Sequence, residues 1–112
     1  MIRDALGRLR ATLSPEHPSV VAASYELGVF LLDSGRAAEA EPMLRTVAED
    51  RRRHLPEGHW RRAASEVMLG RALLAQGRCV DAEALIVRGY GTLATVLSAS
   101  DPRVVAARRL LR

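Results

Sequence analysis

Val21, Ser24, Leu27, Gly28, Leu31 and Leu32 recur at steps of three and four residues, the spacing of one side of an α-helix. Pro18 stands where a first helical residue needs no amide hydrogen, and Ser34-Gly35 supplies the glycine that can close the last turn in a left-handed conformation. A second stripe follows at once through Ala37, Ala40, Met43, Leu44, Val47 and Ala48. Pro42 falls early in that helix, where its missing amide hydrogen costs little. The segment Leu55-Pro56-Glu57-Gly58 holds both chain-breaking residue types and reads as a turn.

The same pattern then returns. A displacement of 42 residues carries Leu27-Gly28 onto Leu69-Gly70, Leu31-Leu32 onto Leu73-Leu74, Gly35-Arg36 onto Gly77-Arg78 and Ala40-Glu41 onto Ala82-Glu83, without a gap. A second displacement lays Pro18-Ser19-Val20-Val21 on Pro102-Arg103-Val104-Val105. The register therefore predicts an all-α chain of helix pairs forming one repeat domain over 1–112. Its units are about 18–59 and 60–101, with partial units at 1–17 and 102–112, roughly two and a half repeats in all. Five helices alternate in direction, the fifth cut short at Arg112. Upstream, Ile2, Leu6, Leu9 and Leu13 form a stripe that matches the second helix of an earlier unit.

At Leu27-Gly28, Leu31, Gly35, Ala40 and Leu44 the spacing resembles the tetratricopeptide repeat. The 42-residue period, Glu16-His17-Pro18-Ser19-Val20 and Gly35-Arg36-Ala37-Ala38-Glu39-Ala40-Glu41-Pro42 are similar to the kinesin-light-chain type of that repeat. The run Leu55-Pro56-Glu57-Gly58-His59-Trp60-Arg61 also resembles repeats that follow the catalytic domain in many bacterial serine/threonine kinases. The resemblance implies an antiparallel helix-pair solenoid, a right-handed superhelix with Gly28, Ala40, Gly70 and Ala82 at the helix contacts. It further implies a concave groove lined by Ala22, Tyr25, Val29 and Asp33 from one unit and Ala64, Val67, Arg71 and Ala75 from the next. Kinesin-light-chain repeats commonly carry paired asparagines on the first helix, whereas this chain has Tyr25-Glu26 and Val67-Met68 there and no asparagine at all. The function implied is a protein-interaction scaffold binding a protein or peptide in the groove. The alternative is a regulatory or substrate-docking region of a bacterial kinase.

Composition narrows the chemistry. No stretch approaches the roughly 20 apolar residues of a membrane span, and no signal-like run follows Met1. A cytoplasmic setting is expected, and the lone Cys79 can form no internal disulfide. Cys79 aligns with Ala37 and is expected to be a small buried residue. His17, His59 and Asp101 are repeat equivalents at helix entries, which fits capping of free amide hydrogens better than metal ligation; His54 is placed on the surface near a helix C-terminus. Glu39 with Glu41 and Glu49 with Asp50 are expected on solvated faces. With no kinase, hydrolase or metalloprotease motif present, neither an enzymatic activity, a cofactor nor a metal is expected.

All 17 basic residues are arginine, against 13 acids. Arg51, Arg52 and Arg53 suit the negative end of a helix dipole, but Arg61 and Arg62 stand in a first turn, where positive charge is mildly unfavourable. Together they form a possible basic patch for an acidic partner. Nucleic acid is the less favoured occupant, because one tryptophan, two tyrosines and one phenylalanine offer little base stacking. Trp60 is expected to pack against the preceding turn. Apolar residues at both ends, including Ile2, Leu6 and Leu9 and Val104, Val105, Leu110 and Leu111, predict self-association through uncapped ends.

Overall fold

The computed structural model describes residues 17–111. The predicted stripe through Ile2, Leu6, Leu9 and Leu13 and most of the partial unit at 1–17 lie outside them. The described residues form five helices and connecting turns: α1 Pro18–Asp33, α2 Ala37–His54, α3 Trp60–Ala75, α4 Cys79–Val96 and α5 Pro102–Leu110.

Their limits follow from local chemistry. His17 Nδ1 accepts the Ser19 amide at 3.1 Å, His59 Nδ1 accepts the Arg61 amide at 3.1 Å, and Asp101 Oδ1 accepts the Arg103 amide at 2.9 Å. Three repeat-equivalent residues thus cap three first helices, as their positions predicted. At the far ends Gly35 and Gly77 take φ of 76° and 82°. Each carries the chain back so that Arg36 N donates to Leu31 O at 2.8 Å and Arg78 N donates to Leu73 O at 3.0 Å, satisfying carbonyls that the helices leave free.

Helices α1, α3 and α5 lie side by side in one layer, while α2 and α4 pack behind them. Leu31, Leu44, Leu73 and Ile86 are almost fully buried, and Ala40 and Ala82 entirely so. Burying each of the larger side chains contributes about 1.5–3 kcal/mol. Close approach is obligatory at Gly28 and Gly70, where a Cβ would lie 2.7 Å from Leu44 Cδ2 and 2.6 Å from Ile86 Cγ1. Gly89 makes a third such contact, 2.5 Å from Val67 Cγ2 and 2.9 Å from Ala63 O.

Several expectations are corrected. Cys79 is exposed, because it is the first residue of α4 and precedes the turn that settles on α3. Asp50 is buried beside Arg51 rather than solvated, and Glu41 is half-buried. Glu41 accepts from Arg45 Nη2 at 2.9 Å and Gln76 Nε2 at 2.8 Å, bonds that hold its carboxyl below the usual range. At the C-terminal end Val104 is buried and Leu110 half-buried against the core, leaving Leu111, just past α5, as the exposed large apolar residue there. Val104 and Leu110 pack on the core beside α3 and α4, whereas Val105 is only half-buried.

Candidate functional site

A cleft of about 390 Å³ opens across α1, α3 and α5. Its position follows from the layer: every first helix contributes the face that its second helix does not cover. Tyr25, Val29, Ala64, Val67 and Arg71 of the expected groove all line it, joined by Met68, Leu93 and Ala106. Val67 is 1% exposed and belongs to the floor. Ala22 faces an adjoining hollow of about 560 Å³ instead. Asp33 is bound to Arg71, whose Nη2 donates to Asp33 Oδ1 at 2.9 Å. Acid and base at these repeat positions therefore engage each other. Ala75 is exposed at the end of α3 and lines neither space.

Tyr25 lines the smaller space, and Arg51, which lies over its ring, lines the larger. Burial pushes its phenol above the ordinary value, opposed by the charges of Arg51 and Arg103. The Arg51 guanidinium carbon stands 4.7 Å from the Tyr25 ring centroid. Trp60 carries two more arginines, with Arg61 and Arg103 guanidinium carbons 4.9 and 4.2 Å from its ring, and it stacks with His59 at 6.3 Å. Its partners therefore include α5 as well as the preceding turn. Arg103 also donates two side-chain bonds to Asp101, at 2.9 and 2.8 Å, and these depress that carboxyl to about 2.

The five-arginine patch divides. Arg51 is 9% exposed and donates to Ser65 Oγ at 2.6 Å and Arg61 O at 3.0 Å; burial lowers its pKa. It is a junction residue, and its repeat partner Leu93, a core residue, carried that signal in the sequence. Arg62 reaches the Leu55 carbonyl at 3.4 Å and lies 3.9 Å from Glu66. Arg52 and Arg62 share a further cleft of about 350 Å³ with Glu57 and Glu66. Arg53 and Arg61 are exposed, although Arg53 has an interaction of its own. Arg51 thus belongs to the junction, while Arg52, Arg53 and Arg61 are exposed and Arg62 is half-buried.

Asp50, unremarked as a buried group in the sequence, adjoins the larger hollow. Its Oδ1 is buried without a hydrogen bond. His54 Nδ1 lies 2.9 Å from the Asp50 carbonyl and 3.4 Å from Oδ1, so the backbone oxygen takes the better contact. Among the described residues no three His, Cys, Asp or Glu side chains gather as metal ligands, and no helix is long and apolar enough to cross a membrane.

The sequence model of the tetratricopeptide repeat family matches residues 21–61. No curated protein matches the chain. Among solved structures, a crystal structure of nearly identical TPR-like repeats, assigned to a kinesin light chain of Podosopora anserina, shares 28% identity at a TM-score of 0.85. A second crystal structure, of a single-substitution form of the same repeats, gives 28% and 0.86. Each alignment covers 98% of this chain and 52% of the other, so the chain spans about half the length of those structures. The helix pairs described above thus form an all-α, TPR-like solenoid, with kinesin-light-chain-like repeats as its structural neighbours.

Proposed function

We propose that the chain is a non-catalytic interaction module that takes a protein or peptide segment in the cleft across α1, α3 and α5, the concave side of the solenoid. Tetratricopeptide repeats are in general protein–protein interaction modules. The observation that carries the reading here is the cleft itself: an open, mainly apolar trough with half-buried Tyr25 at its wall and guanidinium groups at its ends. Tyrosine and arginine are the side chains that most often anchor interfaces, since each combines area with directed hydrogen bonds. Arg71 is already neutralised by Asp33, so an incoming acidic group would share that arginine rather than find it unpaired.

Peptides selected from a displayed random library against the full chain provide the test. Val29→Arg in the cleft should weaken selected binders more than tenfold, while Glu49→Arg on the exposed side of α2 leaves them unchanged. Equal losses for the two variants, or none for Val29→Arg, would remove the cleft from binding.

A further inference from the structure

The outer faces of α2 and α4 occupy the same place in consecutive units and are both exposed, yet their chemistry differs. On α2 the positions are Ala38, Pro42, Arg45, Glu49 and Arg52; on α4 the register replaces them with Val80, Ala84, Val87, Gly91 and Ala94. Val80 is 84% exposed and Val87 52%, and Val96 adds another half-exposed side chain at 51%. Three charges have been exchanged for apolar or minimal residues with no gain in burial. The replacements follow steps of four, three, four and three, which form a seam along the helix opposite the buried Ala82, Ile86, Gly89 and Leu93. A soluble helix keeps such a seam when another surface covers it.

We propose that α4 pairs antiparallel with α4 of a second copy of this chain, across a two-fold axis near Ala84 and Leu85. Charge selects both occupant and direction. Asp81 and Glu83 lie in the first half of α4, Arg88 lies beyond its middle, and the second half has no acid. Parallel helices would set the acids of the two copies side by side. Asp81 and Arg88 are seven residues apart and share one flank of the helix. A two-fold axis opposes like flanks of antiparallel helices, so each Asp81 meets Arg88 of the second copy, and the helix dipoles also run in opposite senses. Within the chain, Arg78 lies 3.6 Å from Asp81, and Arg88 Nε donates to Glu66 at 2.8 Å, which leaves both groups at the rim of the seam. Size agrees with charge. This register brings Val80 within a turn of Gly91 of the second copy, next to a shallow hollow of about 330 Å³ bordered by Val87, Gly91 and Val96. Gly91 has open space around it, so a valine can settle there.

Sedimentation of the purified full chain over the micromolar range should give a species of twice the chain mass. The variant Val87→Arg/Gly91→Glu/Ala94→Arg, which copies α2 residues onto equally exposed positions, should sediment as a monomer with unchanged helical circular dichroism. A wild-type chain that stays monomeric, as it would if a different protein covered the seam, overturns the proposal. So does a dimer that survives the triple variant. Oxidative cross-linking tests direction. The two Cys79 residues would stand roughly 16 Å apart along the helices at 1.5 Å per residue, too far for a disulfide, whereas Ala84→Cys in a Cys79→Ala background should cross-link near the axis. Cross-linking through Cys79 and not through Ala84→Cys would overturn the antiparallel arrangement.

Discussion

The two junctions between successive units use equivalent positions and opposite chemistry. Where α2 meets α3, Arg51 is buried against Ser65 Oγ at 2.6 Å and the Arg61 carbonyl at 3.0 Å. Where α4 meets α5, the same register supplies Leu93 and Ala107, which are 1% and 0% exposed. Tyr25, stacked on Arg51, is likewise replaced by Val67. A polar plug and an apolar plug fill the same gap. The difference teaches that the repeat specifies a volume and a direction, while satisfaction of polar groups is solved locally. An apolar plug needs only a surface to touch, but a guanidinium in that place needs fixed oxygen acceptors, and Ser65 and the Arg61 carbonyl provide them.

Converting the apolar junction to the polar residue without its acceptor should produce the largest effect. Leu93→Arg would face Ala107 with no hydroxyl and is expected to lose about 3 to 5 kcal/mol in chemical denaturation, the cost of an uncompensated buried charge. A loss below about 1 kcal/mol would show that the second junction can open to water and that the contrast is superficial.

The reverse experiment sharpens the comparison. Ser65→Ala removes one acceptor from Arg51 and is expected to cost about 1 to 3 kcal/mol. Arg51→Leu with Ser65→Ala should return most of that, because an apolar pair of suitable shape can replace a buried polar one at little cost. Additive losses in the double variant would mean that Arg51 serves something other than this junction.

Caps give a smaller difference. His59→Ala should lower stability by about 1 kcal/mol, as loss of an N-cap acceptor usually does. Asp101→Asn keeps an acceptor at the helix entry but loses the ionic bonds to Arg103, so its effect should depend on pH. The Asp101 carboxyl is depressed from 3.8 to about 2. Its contribution is therefore present above about pH 4 and lost as pH falls towards 2, and melting curves of wild type and Asp101→Asn should converge over that interval.

The smallest effect is spectroscopic. In a Tyr90→Phe background, absorbance titration should show Tyr25 ionising above the ordinary value of 10.0, since burial outweighs the attraction of Arg51 and Arg103. Arg51→Leu should move it higher still by removing one of those charges. The sign for stability follows: a raised phenol contributes fully below pH 10 and loses that contribution as pH climbs through its folded value.

Much of this architecture is visible in the chain. The 42-residue register places Gly28 and Gly70 at their contacts, and Gly35 and Gly77 at the helix ends. It also makes His17, His59 and Asp101 equivalent, so their capping role can be read from position alone. What the register hides is anything decided between units. Arg51 reads as an ordinary helix-end arginine until its equivalent, Leu93, is noticed in the core. Asp50 reads as solvated because its burial depends on the start of α1 closing over the end of α2. Gly89 is equivalent to Val47, so the repeat argues against a close contact there, yet α4 meets α3 at that point. The cleft was partly legible: Tyr25, Val29, Ala64 and Arg71 share it, but the Asp33–Arg71 bond required knowing how α1 lies beside α3.

Trp60 is the sole indole of the chain, and Arg103 of α5 lies over its ring at 4.2 Å. The shortest of the described helices, with nine residues, is thus tied to the one strong intrinsic fluorophore. Tryptophan emission becomes a local gauge of whether α5 is docked, while circular dichroism averages over every helix of the chain. Because a nine-residue helix with two buried side chains opens at lower free energy than the longer, better-packed helices, heating should shift the emission before the bulk ellipticity falls. A single optical signal thus separates undocking of α5 from melting of the helices it packs on.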